Sequence, residues 1–131
     1  MEKENINSFL KLERLVFDKI DFKRIGFKND LPCEYEISTS LASDEDESIY
    51  RVTLILCGKK KDEYTFEISL SGFFSVDSSE NVEDALKADI IRRNTVAIMM
   101  PYMRSEVSLL TAQPEMDCLV LPPFNINKLF D

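Results

Sequence analysis

The sequence has no histidine, which removes the commonest general base and metal ligand at the outset. Its three glycines leave no Gly-rich phosphate loop, and Gly58-Lys59 lacks the surrounding segment that would make it one. The three cysteines, Cys33, Cys57 and Cys118, are odd in number and far apart. They form neither a disulfide framework nor a clustered zinc motif, so buried free thiols are expected. Cys118 as a nucleophile lacks a base partner. No apolar run approaches membrane-spanning length, and the polar, acidic start of the chain is not a signal peptide, so a cytoplasmic location is expected. Positive charge is in deficit, 16 Lys and Arg against 24 Asp and Glu, a net charge of −8. Nothing would neutralise phosphates, so nucleic acid is not an expected partner. The acidic cluster Asp44, Glu45, Asp46 and Glu47 lacks calcium-loop spacing and reads as a solvated turn. Together these absences point away from an enzyme, and no cofactor or metal is expected.

What is present reads as one α+β domain over residues 1–131. Cys33, Tyr35, Ile37, Thr39 and Leu41 alternate with polar residues, as do Tyr50, Val52, Leu54 and Leu56, and then Tyr64, Phe66, Ile68 and Leu70. Such alternation predicts antiparallel strands with one wet face. Gly58 to Asp62 is expected to form a hairpin loop. Phe9 to Phe27 fits a strand, with Leu10, Leu12, Val16, Ile20 and Phe22 on one face, but Arg14 and Asp18 interrupt it, and a helix also fits. Aromatic and β-branched content favours the strand. Residues 27–32 then form an irregular crossover. Asp77 to Glu80 resembles a capping box ahead of a short helix marked by Val82, Ala85, Leu86 and Ile90. Pro101 suits the first turn of a second helix, which places Met103, Val107 and Leu110 on one face before Pro114 stops it. The expectation is a four-stranded antiparallel sheet with helices packed on one face.

The C-terminal third carries further signals. Pro101-Tyr-x-Arg-x-Glu106 opens a helix, the apolar run Cys118–Leu121 follows, and Pro122-Pro123-Phe124-Asn125 leads to Leu129-Phe130. With Gly72-Phe-Phe-Ser-Val76 upstream, this order and spacing resembles the SecB family of export chaperones. The likeness covers the C-terminal half by letter and the N-terminal half by pattern. It implies an ATP-independent chaperone that holds unfolded chains in apolar grooves and assembles as a tetramer, a dimer of dimers. Phe66, Ile68 and Leu70 match the positions associated with subunit contacts, and Glu67 matches an acidic residue that docks the SecA motor. Lys19 and Lys23 stand where the family has acidic residues, which reverses the charge. The family continues into a long helix and acidic tail where this sequence ends at Asp131, so SecA delivery is the weaker expectation. A SecB-like chaperone serving one partner, such as an antitoxin, is the alternative.

The surplus of methionine and aromatic side chains also calls for a reason. Flexible, polarizable methionines accept varied partners, and exposed apolar patches mark binding grooves. The groove candidates are Phe27, Leu31, Met99, Met100, Leu119, Leu121, Phe124, Leu129 and Phe130. Core packing explains Met103, Val107 and Leu110, whereas for Phe27, Leu31, Phe124 and Phe130 core and groove both stay open. An adaptor for one folded partner, or a small-molecule pocket under the sheet, are readings from other classes. The first would bind a single native protein, and the second would hold ligand inside a monomer.

Overall fold

The computed structural model describes residues 10–44, 48–76 and 84–124, with the side chains of 84–87 excepted. Among the described residues four strands, β1 (Leu10–Arg24), β2 (Cys33–Ser43), β3 (Ile49–Lys60) and β4 (Tyr64–Val76), precede one helix, α1 (Asp84–Thr111). All neighbours are antiparallel, in the order β1-β4-β3-β2. Strands β2 to β4 follow one another through hairpins, and β1 returns beside β4 in Greek-key fashion. The β1–β2 connection must therefore cross the end of the sheet, over the β3–β4 turn.

Alternation places the side chains as expected in β2, β3 and β4. Val52, Leu54, Leu56, Ile68, Leu70 and Phe74 point inward and are buried, and Glu67 and Ser69 point outward. Strand β3 runs on through Gly58 to Lys60, so the hairpin turn is shorter than the sequence suggested. Asp62 takes the left-handed conformation there, with φ 63°, and the Glu63 amide closes the turn on the Lys60 carbonyl (3.0 Å). Aspartate tolerates that region better than most residues.

Strand β1 departs from simple alternation. Its register against β4 shifts between Leu12 and Arg14 and again between Phe17 and Lys19. Each bulge inserts one residue and exchanges the faces. The inward set is therefore Leu10, Leu12, Leu15, Phe17, Ile20 and Phe22, opposite Val76, Phe74, Gly72, Leu70, Ile68 and Phe66. Val16, expected inside, faces outward opposite Ser71. The second bulge turns Asp18 onto the outer face, where it accepts hydrogen bonds from Ser71 (2.5 Å) and Ser69 (3.3 Å) and meets Arg51 (3.4 Å).

The helix also differs from expectation. Pro101 lies inside α1 rather than at its start, and one continuous helix replaces the two expected. Ile91, Thr95, Val96, Met99, Met100, Met103 and Val107 are buried on both sides of the proline. At about 1.5–3 kcal/mol per buried large apolar side chain, this stripe outweighs the roughly 3 kcal/mol that an interior proline costs. Pro114 follows the end at Thr111 as predicted. Val82 and the Asp77–Glu80 box lie outside the described residues, as do Glu45, Asp46 and Glu47.

Candidate functional site

Beyond α1 the chain runs back along the helix as an extended strap. Three helix side chains one turn apart hold its backbone. Thr111 Oγ1 accepts from the Leu119 amide (2.7 Å), Ser108 Oγ donates to the Leu119 carbonyl (3.0 Å), and Arg104 Nε donates to the Leu121 carbonyl (3.1 Å). Among the described residues the strap has no sheet partner, so side chains supply what a ladder would otherwise satisfy. Met116 and Leu121 turn into the core, whereas Val120 is 71% exposed. Phe124 meets the Tyr35 ring edge-on, with centroids 5.7 Å apart.

The crossover, residues 25–32, is fixed from two sides. On one side, Arg24 donates to the carbonyls of Gly26 (3.0 Å), Pro114 (3.1 Å) and Glu115 (2.5 Å), and Lys28 pairs with Asp117 (3.0 Å). These contacts join the crossover to the turn after α1. On the other side lies the β3–β4 turn. The Glu63 carbonyl accepts from the amides of Ile25 (2.8 Å) and Gly26 (3.1 Å), and Glu63 Oε1 accepts from the Asn29 amide (3.0 Å). Lys60 Nζ pairs with Glu63 Oε1 (2.9 Å) and donates to the Asn29 carbonyl (2.9 Å). Asn29 Nδ2 donates to the Lys61 carbonyl (2.9 Å), and its Oδ1 accepts from the Leu31 amide (2.9 Å). Burial pushes the Glu63 carboxyl up, but the hydrogen bonds from Lys60 and the Asn29 amide, with the charges of Lys60 and Arg24, hold it below the usual glutamate range.

This backbone, although tied at Ile25, Gly26, Asn29 and Leu31, presents apolar side chains to solvent. Phe27 is 90% exposed, Ile25 49% and Leu31 43%. A hollow of about 460 Å³, lined by Arg24, Ile25, Gly26, Phe27, Pro114 and Glu115, opens beneath Phe27. Its walls suit an apolar side chain with a backbone carbonyl nearby. Burial pushes the Cys33 thiol up, and burial with the Glu67 and Glu36 carboxylates does the same at Cys57. Neither thiol is activated as a nucleophile.

The structure sorts the candidates from the sequence. Phe27 and Leu31 lie at the surface of the crossover, and Phe124 and Leu119 pack half-buried against the core. Met99, Met100 and Leu121 do not line an open groove, because they fill the space between α1 and the sheet. Met99 fits there because Gly72 carries no side chain; a Cβ at Gly72 would come within 2.9 Å of its sulfur. Leu129 and Phe130 lie outside the described residues. Phe66, Ile68 and Leu70 are buried on the helix-facing side, and Glu67 is on the outer face, bonded by Lys19 at 3.0 Å. Cys57 and Cys118 are exposed rather than buried: Cys57 has outer-face parity, and Cys118 lies on the strap, its thiol donating to the Ser108 carbonyl (3.4 Å). Sequence reasoning missed Ile25 and the outward helix stripe Ile98, Tyr102 and Leu109. The stripe's signal was apolar residues four and seven apart on the face opposite Met99 and Met103.

The geometry can be set beside known proteins. The SecB-like chaperone Rv1957 of Mycobacterium tuberculosis, solved with a peptide from the HigA1 antitoxin, superposes with a TM-score of 0.76 over 93% of this chain and 92% of its own, at 14% identity. The chain has a SecB-like fold. A protein of unknown function from Streptococcus agalactiae superposes at a TM-score of 0.48 with 12% identity, over 86% of this chain and 96% of its own. By sequence, an uncharacterised protein of Methanocaldococcus jannaschii is 33% identical over 100 residues, 69% of this chain and 60% of that relative's length. No family model matches. Among the described residues, no helix is long and apolar enough to cross a membrane.

Proposed function

We propose that this SecB-like chain is an ATP-independent holdase that captures unfolded polypeptide segments on its crossover loop. One observation carries the proposal: Phe27, a large apolar side chain, stands 90% exposed on a backbone fixed from both sides. A core residue would be covered, and a linker residue would not be tied down. The solved neighbour's peptide complex supports the same reading by analogy of fold.

Magnitudes indicate how the capture works. Burying Phe27 gains about 1.5–3 kcal/mol and the half-exposed Ile25 and Leu31 about half that each, roughly 3–6 kcal/mol in all. Association costs about 4–15 kcal/mol, so a single loop binds weakly at best. Several loops acting on one client would restore affinity through effective concentration. An oligomer, a tetramer by family resemblance, is therefore part of the proposal, and the outward stripe Ile98, Tyr102 and Leu109 supplies an apolar face for self-association. The cytoplasm is the proposed location. The test is light scattering from a chemically denatured protein diluted into buffer without nucleotide. Suppression at one oligomer per client is expected, and unchanged aggregation refutes the holdase.

The antitoxin peptide bound to the neighbour favours a second reading, a chaperone dedicated to one partner. Suppression for one client only, among several unrelated ones, would favour it. Delivery to SecA ranks below both, because Lys19 already bonds Glu67, the acidic residue expected to dock that motor.

A further inference from the structure

We infer that Glu63 is a positioning residue for client capture, holding the crossover so that Phe27 and Leu31 are already oriented before a client arrives. The inference rests on the holdase reading and adds the element that makes the loop competent. Glu63 is fully buried, and the Lys60 side chain is buried to all but 9%. Glu63 acts twice on the crossover, with its carbonyl taking two amides and its carboxylate taking a third and the ammonium group. Its second carboxylate oxygen is buried with no partner among the described residues. A half-satisfied buried carboxylate is a costly way to close a hairpin turn. Its bonds run to the crossover amide of Asn29 as well as to Lys60 of its own hairpin, and the Lys60 ammonium is itself tied to the Asn29 carbonyl.

Gly26 gives independent support. A Cβ there would lie 2.0 Å from the Asp62 carbonyl oxygen, so only glycine lets the crossover reach the turn. Two features with separate physical causes, a buried ion pair and a backbone approach too close for a side chain, thus serve one contact. Immediately beyond that contact the chain exposes Phe27. A loop ordered in advance loses less conformational freedom when a client binds, which is how rigidity becomes affinity.

The test uses the full chain, fluorescein-labelled reduced and carbamidomethylated α-lactalbumin as a permanently unfolded client, anisotropy for affinity and hydrogen exchange for the loop. Glu63→Gln and Gly26→Ala should each speed exchange at the Ile25, Gly26 and Asn29 amides (the position 26 amide in the glycine variant) while leaving the Leu54 and Ile68 amides protected. Client affinity should fall about tenfold, the cost of re-ordering two side chains and their loop on binding. If Glu63→Gln fails to fold, Gly26→Ala carries the test without touching a charge. Faster loop exchange with unchanged affinity overturns the positioning role and leaves a structural staple. Unchanged loop exchange overturns the clamp itself. A wild-type chain that binds no client overturns the holdase reading, and is recognisable because its loop amides would remain protected.

Discussion

Replacing Pro101 with alanine tests how the helix is built. Pro101 lies inside α1, and its ring is exposed beside Arg104, Ser108 and Leu121. The ring removes the bond from residue 101 to the Ala97 carbonyl and crowds that carbonyl. Alanine at an interior helical position is about 3 kcal/mol better than proline. The more flexible unfolded chain offsets part of this, about 0.4–1 kcal/mol, so Pro101→Ala should stabilise the protein by roughly 2–3 kcal/mol. With a urea slope of about 1–3 kcal/mol per molar, the unfolding midpoint should rise by about 1 M or more at fixed protein concentration. The new amide at position 101 should also be protected from hydrogen exchange. A midpoint that stays or falls, with an unprotected amide, would mean that the helix restarts at Pro101, as sequence spacing alone suggests.

Further outcomes follow from the same contacts. Thr111→Val keeps the shape but strips the acceptor from the Leu119 amide, so stability should fall by about 1–3 kcal/mol in urea unfolding. Phe27→Ser should leave stability within about 0.5 kcal/mol, as an exposed site should, while client binding drops. The Glu63 carboxyl is held below its usual range in the folded chain, so its stabilisation is complete at neutral pH. It is lost as pH falls through that lowered value. The Asn29 amide resonance should therefore titrate with a midpoint below the ordinary glutamate range, and a midpoint above it would reverse the sign.

The sheet was legible in the sequence wherever alternation ran unbroken. Tyr50–Leu56 and Tyr64–Leu70 lie as their pattern indicated, since a one-residue slip would turn every buried side chain to solvent. Strand β1 was ambiguous for a physical reason. Its inward residues 10, 12, 15, 17, 20 and 22 alternate spacings of two and three, because Glu13 and Asp18 are bulged out of the ladder. Arg14 and Asp18, which looked like interruptions of one face, mark the places where the faces change over. The Pro101 reading weighed local chemistry correctly but lacked the tertiary packing that overrides it. Of the site, Phe27 and Leu31 were legible as apolar residues in a turn-rich connection. Glu63 was not, because a charged residue beside a hairpin turn looks solvated until the crossover folds over it.

The central claim is that the Phe27 surface takes hold of unfolded chain. Site-specific crosslinking tests it most directly, with p-benzoyl-phenylalanine introduced as Phe27→Bpa and a protein offered in denatured and native forms. The account predicts crosslinks to the denatured form alone, without nucleotide. Crosslinks confined to copies of the chain itself, or equal labelling of the native form, would contradict it.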